Sequence, residues 1–121
     1  MIEISVSGKL PHLNEYIQKE RSNRFMGAKL KKDATELVVW QAKPYAGKIT
    51  EYPVSVIMNW YVKKNRGKYA DPDNIGFGAK FILDGLVHAG VLEDDTFRQI
   101  ESITHQFEWD STEDKVVVQL V

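Results

Sequence analysis

Six carboxylates, Asp71, Asp73, Asp84, Glu93, Asp94 and Asp95, fall within residues 71–95 together with one lysine, Lys80. Carboxylates gathered at one point repel: at about 4 Å and an effective dielectric near 20, a pair costs roughly 4 kcal/mol. A hard divalent cation takes oxygen ligands and turns that cost into binding. Just before this stretch stand Lys63, Lys64, Arg66 and Lys68, cations of the kind that contact a phosphate backbone. The combination reads as metal-dependent nuclease chemistry.

Charge is distributed to match. The formal net charge is -1, yet residues 1–70 carry 13 basic and 6 acidic side chains, and residues 71–121 carry 3 and 11. Such asymmetry suits a polyanion beside a cation site. With no cysteine in the chain, disulfides, thiolate-bound zinc and a thiol nucleophile are excluded, so a metal must bind through oxygen or histidine. His12, His88 and His105 have no ligand-like mutual spacing and read as structural.

Pro72 disfavours helical geometry at Asp71, and an extended Asp71 would point to the same side as Asp73. The competing reading is that Asp73 caps a helix and Asp71 sits in solvent. An EF-hand fails, because Ile75 and Ile82 occupy the positions that need an oxygen ligand and the bidentate glutamate. Gly76-Phe77-Gly78 is too little for a nucleotide fingerprint and reads as a place where the helix start bends or packs closely. Lys80 leans back toward the helix start and could reach a phosphate, or it could pair with Asp84 at i+4. One geometric conflict is visible: an unbroken helix from Ile75 to Ala89 spans about 22 Å, while Val91 to Asp95 reaches back at most about 18 Å. Either the Gly76–Gly78 region folds back or another chain completes the site.

The elements that must hold these residues follow from periodicity. Ile2, Ile4 and Val6 share one face of a first strand, and Val54, Val56, Met58, Trp60 and Val62 share one face of a second. Ile103, His105, Phe107 and Trp109 alternate, then a polar turn at Asp110-Ser111-Thr112-Glu113 precedes Val116, Val118 and Leu120, which predicts a closing hairpin. Leu30, Ala34, Leu37 and Val38 mark one helix, and Ile75, Ala79, Ile82, Leu83 and Leu86 another, ended at Gly90. The expected order is β-α-β-α-β-β: a single α+β domain over residues 1–121, with two helices on a mixed four-stranded sheet. Residues 8–28 lack a pattern and are expected to order only on a partner. They carry Lys19, Arg21 and Arg24, which with Lys29, Lys31 and Lys32 form a second candidate DNA surface. No run of about 18 apolar residues and no signal-peptide pattern is present, so a soluble, cytoplasmic protein with no membrane partner is expected.

Four segments together resemble the RusA family of Holliday-junction resolvases, in its prophage-associated Gram-positive type. These are Asp71-Pro72-Asp73-Asn74, the run Lys80 to Leu86, the run Ala89 to Asp95, and Leu13-Asn14-Glu15-Tyr16. The likeness covers most of the chain and is strongest over residues 71–95. It implies that Asp71, Asp73 and Asp95 form the metal site, with Lys80 assisting. It further implies Mg²⁺, a homodimer and paired nicks in a four-way junction. One departure is the longer gap that Gly76-Phe77-Gly78 opens before Lys80. The resulting expectation is a Mg²⁺-dependent structure-specific endodeoxyribonuclease that resolves branched DNA. Its rivals are a branched-DNA-binding protein without cleavage and a structural cation-binding domain.

Overall fold

The alternating stripes form strands, and one face of each is buried. The computed structural model describes residues 1–64 and 71–121. Its strands are β1 (Ile2–Ser7), β2 (Val54–Lys63), β3 (Ile100–Ser111) and β4 (Lys115–Leu120). They make a mixed four-stranded sheet in the order β1-β4-β2-β3, and the architecture is α+β. β4 runs antiparallel to both β1 and β2, whereas β3 runs parallel to β2. Ile4, Val6, Val56, Met58, Val116 and Val118 point to the covered face and are buried. Full burial of such a side chain contributes roughly 1.5–3 kcal/mol.

The expected hairpin does not form. β3 and β4 follow each other in the chain but do not pair, because β2 lies between them. The short link is held instead by the end of β2: Lys63 N–H donates to Asp114 Oδ1 (2.9 Å) and Lys64 N–H to the Ser111 carbonyl (3.1 Å). A central β2 buries its apolar stripe more completely than an outer strand could, and β3 becomes a 12-residue edge.

The helices are α1 (Leu13–Ser22), α2 (Arg24–Ala42), α3 (Pro72–Gly76) and α4 (Ala79–His88), with a 3₁₀ turn at Lys43–Tyr45. Two differences from the sequence reading follow. Residues 8–28 are not patternless chain: α1 occupies half of them, although none of its residues is buried. It is secured from outside, by Tyr16 packed on Phe77 and Phe81 with ring centroids 5.5 and 6.5 Å apart. The second expected helix is broken between Gly76 and Ala79, and within the break no side chain fits at Gly78, where a Cβ would lie 2.9 Å from the Trp60 ring. At Gly85 the backbones of α2 and α4 come close: a Cβ would stand 2.5 Å from Val38 Cβ and Cγ1.

Among the described residues no helix is long and apolar enough to cross a membrane.

Candidate functional site

Asp71 is extended, with φ -69° and ψ 139°, as the following proline requires. It occupies the N-cap position of α3, yet its carboxylate makes no capping hydrogen bond, and its backbone carbonyl accepts from the Asn74 and Ile75 N–H groups instead. Asp73 is not the cap either. Its Oδ1 accepts from the adjacent Asn74 N–H at 3.0 Å. Both side chains are exposed, so the helix start does not consume Asp71 and engages only one oxygen of Asp73.

Asn74 ties this segment to α1. Its Oδ1 accepts from Asn14 N–H at 2.9 Å, satisfying a backbone donor at the start of that helix. Tyr16 on Phe77 adds a second link two residues along α1. The two segments Leu13–Tyr16 and Asp71–Asn74 are therefore one physical unit, with α1 fixing where the aspartates sit.

Lys80 begins the first full turn of α4 and lies 3.9 Å from Asp84, with half of its side chain exposed. A pair this long and this wet contributes a few tenths of a kcal/mol, so Lys80 can leave it for a phosphate at little cost. Lys63 and Lys64 are exposed at the end of β2. Arg66 and Lys68 lie outside the described residues. Of the second basic group, Lys19 and Arg21 are on α1, and Arg24, Lys29, Lys31 and Lys32 are on α2. Lys29 is paired with Asp33 at 3.0 Å. Lys31 and Lys32 border a cavity of about 540 Å³ with Glu36, Asp84 and His88, away from the two aspartates of α3. Its mixed charges favour no single ligand sign.

Asp95 is not brought to Asp71 and Asp73. After α4 the chain turns at Gly90, buries Val91 and Leu92, and donates Glu93 N–H to the Tyr52 hydroxyl at 2.9 Å. Shortly afterwards Val54 N–H donates to the Gln99 carbonyl, so this loop lies at the start of β2. Gly76 and Gly78 pack instead near His105, Phe107 and Trp60, toward the other end. Six residues of strand separate Val54 from Trp60, about 20 Å. The break in the helix therefore does not resolve the reach problem. Among the described residues no three of His, Asp or Glu are placed to hold a metal ion.

For Mg²⁺, the donor chemistry of Asp71 and Asp73 is suitable, since this ion is commonly held by one or two carboxylates, waters and substrate phosphate. The third carboxylate does not fit within one chain.

No family model matches this sequence, and no curated protein matches it. The assignment of the site rests on its own chemistry.

Beside Asp73 the structure holds a feature that sequence reasoning did not assign. Pro72, Asp73, Gly76, Phe77, His105 and Phe107 line an open cavity of about 380 Å³. Trp60, His105, Phe107 and Trp109 form a row of near-parallel rings, with interplanar angles of 16°, 15° and 14°. Trp60 Nε1–H donates to His105 Nδ1 at 2.9 Å. Part of the His105 ring is open to solvent, and burial of the rest holds its pKa below the usual histidine value. The alternation from Ile103 to Trp109 was a signal for one shared face, but nothing in it located α3 across that face.

Proposed function

We propose that this protein is a Mg²⁺-dependent structure-specific endodeoxyribonuclease that cuts branched DNA, four-way junctions above all, as a two-fold homodimer. The observation that carries the reading is the pair of exposed carboxylates, Asp71 and Asp73, left largely unspent by the helix they begin. A helix start normally uses such a side chain as its cap. Here the local fold keeps the negative charge available, on a chain whose first 70 residues are strongly basic.

In this reading Asp71 and Asp73 hold the ion, and Lys63 and Lys64 hold the DNA backbone near it. Bound Mg²⁺ supplies Lewis-acid polarisation of the scissile phosphate. Lys80, released from its long contact with Asp84, places a positive charge beside the phosphate as negative charge accumulates there. Asp95 serves through the homodimer, where Asp95 of the partner subunit approaches Asp71 and Asp73. A single acidic pair per chain also requires two chains for two opposed cuts.

The separation of Asp95 from the other two aspartates favours one alternative, a branched-DNA-binding protein without cleavage. A labelled synthetic four-way junction, incubated with and without Mg²⁺ and mapped on both strands, decides between them. Paired nicks that require Mg²⁺ support the nuclease. Salt-sensitive binding without nicks supports the alternative, and the absence of both rejects the DNA reading.

A further inference from the structure

The cavity beside Asp73 joins aromatic walls to two polar side chains. Its walls are Pro72, Gly76, Phe77 and Phe107, its charged lining group is the Asp73 carboxylate, and its remaining polar side chain is His105. An indole N–H can only donate, so the 2.9 Å contact from Trp60 makes His105 Nδ1 an acceptor and places the proton of the neutral ring on Nε2. Nε2–H has no partner among the described residues. The cavity thus offers apolar walls, a neutral imidazole whose Nδ1 and Cε1 are the ring atoms nearest Gly76, and one carboxylate acceptor. At about 380 Å³ it falls in the lower part of the roughly 300–1,000 Å³ range of small-ligand sites.

We propose that this cavity receives a nucleobase unstacked from branched DNA, packed against Phe77 and Phe107 with its polar edge toward His105 and Asp73. The inference rests on the DNA reading above and assigns it a way of selecting disrupted over continuous duplex. A base edge carries a carbonyl beside an amino or imino N–H, and the N–H complements the carboxylate acceptor. A phosphate in the cavity is opposed by Asp73. The rings of His105, Phe107 and Trp109 stand 6.3 and 6.0 Å apart. A ring inserted between two others needs about 7 Å, two van der Waals spacings of roughly 3.5 Å, so the base lies beside the row. Charge supports the same occupant: β3 ends at Ser111, whose carbonyl is bonded to Lys64 N–H, so the aromatic row leads from the cavity toward Lys63 and Lys64. A strand whose backbone follows those lysines can present a base to the cavity. Stacking on aromatic side chains is tolerant of base identity, as a structure-selective protein requires.

The test compares the full chain with Gly76→Leu, which fills the cavity, and with Phe107→Ala, which removes a wall. A Cβ at Gly76 meets only ordinary contacts, 3.6–3.9 Å from His105 and Phe107, and thermal unfolding verifies that both variants fold. Binding is measured in EDTA to a four-way junction carrying 2-aminopurine at the crossover, and to a linear duplex of equal length. The wild type should prefer the junction and change the 2-aminopurine emission. Each variant should lose about tenfold or more of that preference, with duplex affinity changed less than about twofold. A preference retained by both variants overturns the base slot while leaving DNA binding intact. A Gly76→Leu chain that halves in mass by sedimentation also overturns it, because the cavity would then seat a second copy. Failure of the wild type to bind either DNA removes the slot and the DNA reading together.

Discussion

Replacing Asp71 or Asp73 with asparagine separates a chemical role from a structural one. Asp71 makes no capping bond and is exposed, so Asp71→Asn should change stability by less than about 0.5 kcal/mol. In Asp73→Asn the side-chain oxygen can still accept from Asn74 N–H, and what disappears is the attraction of a charge to the first turn, about 0.3–1 kcal/mol and at the low end for a five-residue helix. For a chain of 121 residues the shift in Tm should stay within about 4 °C. Binding of linear duplex in EDTA should tighten. A carboxylate about 7 Å from a phosphate repels it by about 0.6 kcal/mol at the dielectric of water, nearly threefold in Kd at low salt and less at physiological salt. Cleavage should move in the opposite direction. Removing a group that merely orients a metal ligand costs about 10–100-fold, so removing a ligand should cost at least about a hundredfold. Junction cleavage, differential scanning fluorimetry and anisotropy titration on the same preparations give all three numbers. Full cleavage by both variants at saturating Mg²⁺ would falsify the assignment, and so would a stability loss above about 2 kcal/mol that accounted for the missing activity.

Replacing Lys63, Lys64, Arg66 and Lys68 together with alanine should weaken junction and duplex binding alike and lower the log-log salt slope by roughly 0.9 for each phosphate no longer neutralised; an unchanged slope moves the DNA surface to Lys19, Arg21, Arg24, Lys29, Lys31 and Lys32. Sedimentation should give twice the 13.9 kDa chain mass, and mixing Asp71→Asn with Asp95→Asn chains should restore cleavage that neither shows alone, whereas a fully active monomer refutes the shared site. Gly85→Ala should destabilise by about 1–3 kcal/mol through overpacking on Val38, despite the better helix propensity of alanine, with partial rescue by Val38→Ala; urea unfolding measures both. Burial lowers the pKa values of His12, aided by Lys9, and of His105. Below pH 6.5 the unfolded chain therefore takes up protons that the native histidines resist, and stability should fall from there toward their native values. Urea midpoints at pH 7.5 and 5.5 should show a shallower fall in the His12→Gln, His105→Gln double variant.

Which residues face the core was legible in the sequence; which strand lies beside which was not. The period-2 stripes of β1, β2 and β4 specify a buried face, and the structure buries it. A stripe carries no information about neighbours, and the short polar turn before β4 suggested the local pairing. The insertion of β2 between β3 and β4 is a long-range choice, favoured because it gives both edges of the most apolar strand a hydrogen-bonded neighbour. Helix α1 escaped notice for a related reason. With no buried residue it has no stripe to read, and its hold depends on Tyr16 meeting Phe77 and Phe81 some 60 residues later. The glycine-rich break was readable as a bend or a close approach, although the group that approaches Gly78, the Trp60 ring, was not.

The same division runs through the candidate site. Asp71 before Pro72 dictated an extended backbone from local sterics alone, and the mismatch between helix length and loop reach already set Asp95 apart. What local reasoning could not supply is the rim that the fold creates. The helices cover only one face of the sheet, and β3 is an edge strand, so Ile103, His105, Phe107 and Trp109 share the covered face at its margin, where part of their surface remains open. Helix α3 starts on that margin, held there by Asn74 to α1 and by Gly78 against Trp60. Carboxylates and aromatic rings thus meet where the helical layer ends, at one end of β2, while Asp95 is anchored by Val91, Leu92 and Tyr52 at the other. That anchoring is made of buried apolar contacts and a hydrogen bond, and moving the loop about 20 Å within one chain would unmake it. A second copy related by a two-fold axis can offer its own loop without disturbing either. Whether this chain cuts DNA is therefore first a question of assembly, and the mixed-variant experiment addresses chemistry and oligomeric state in a single measurement.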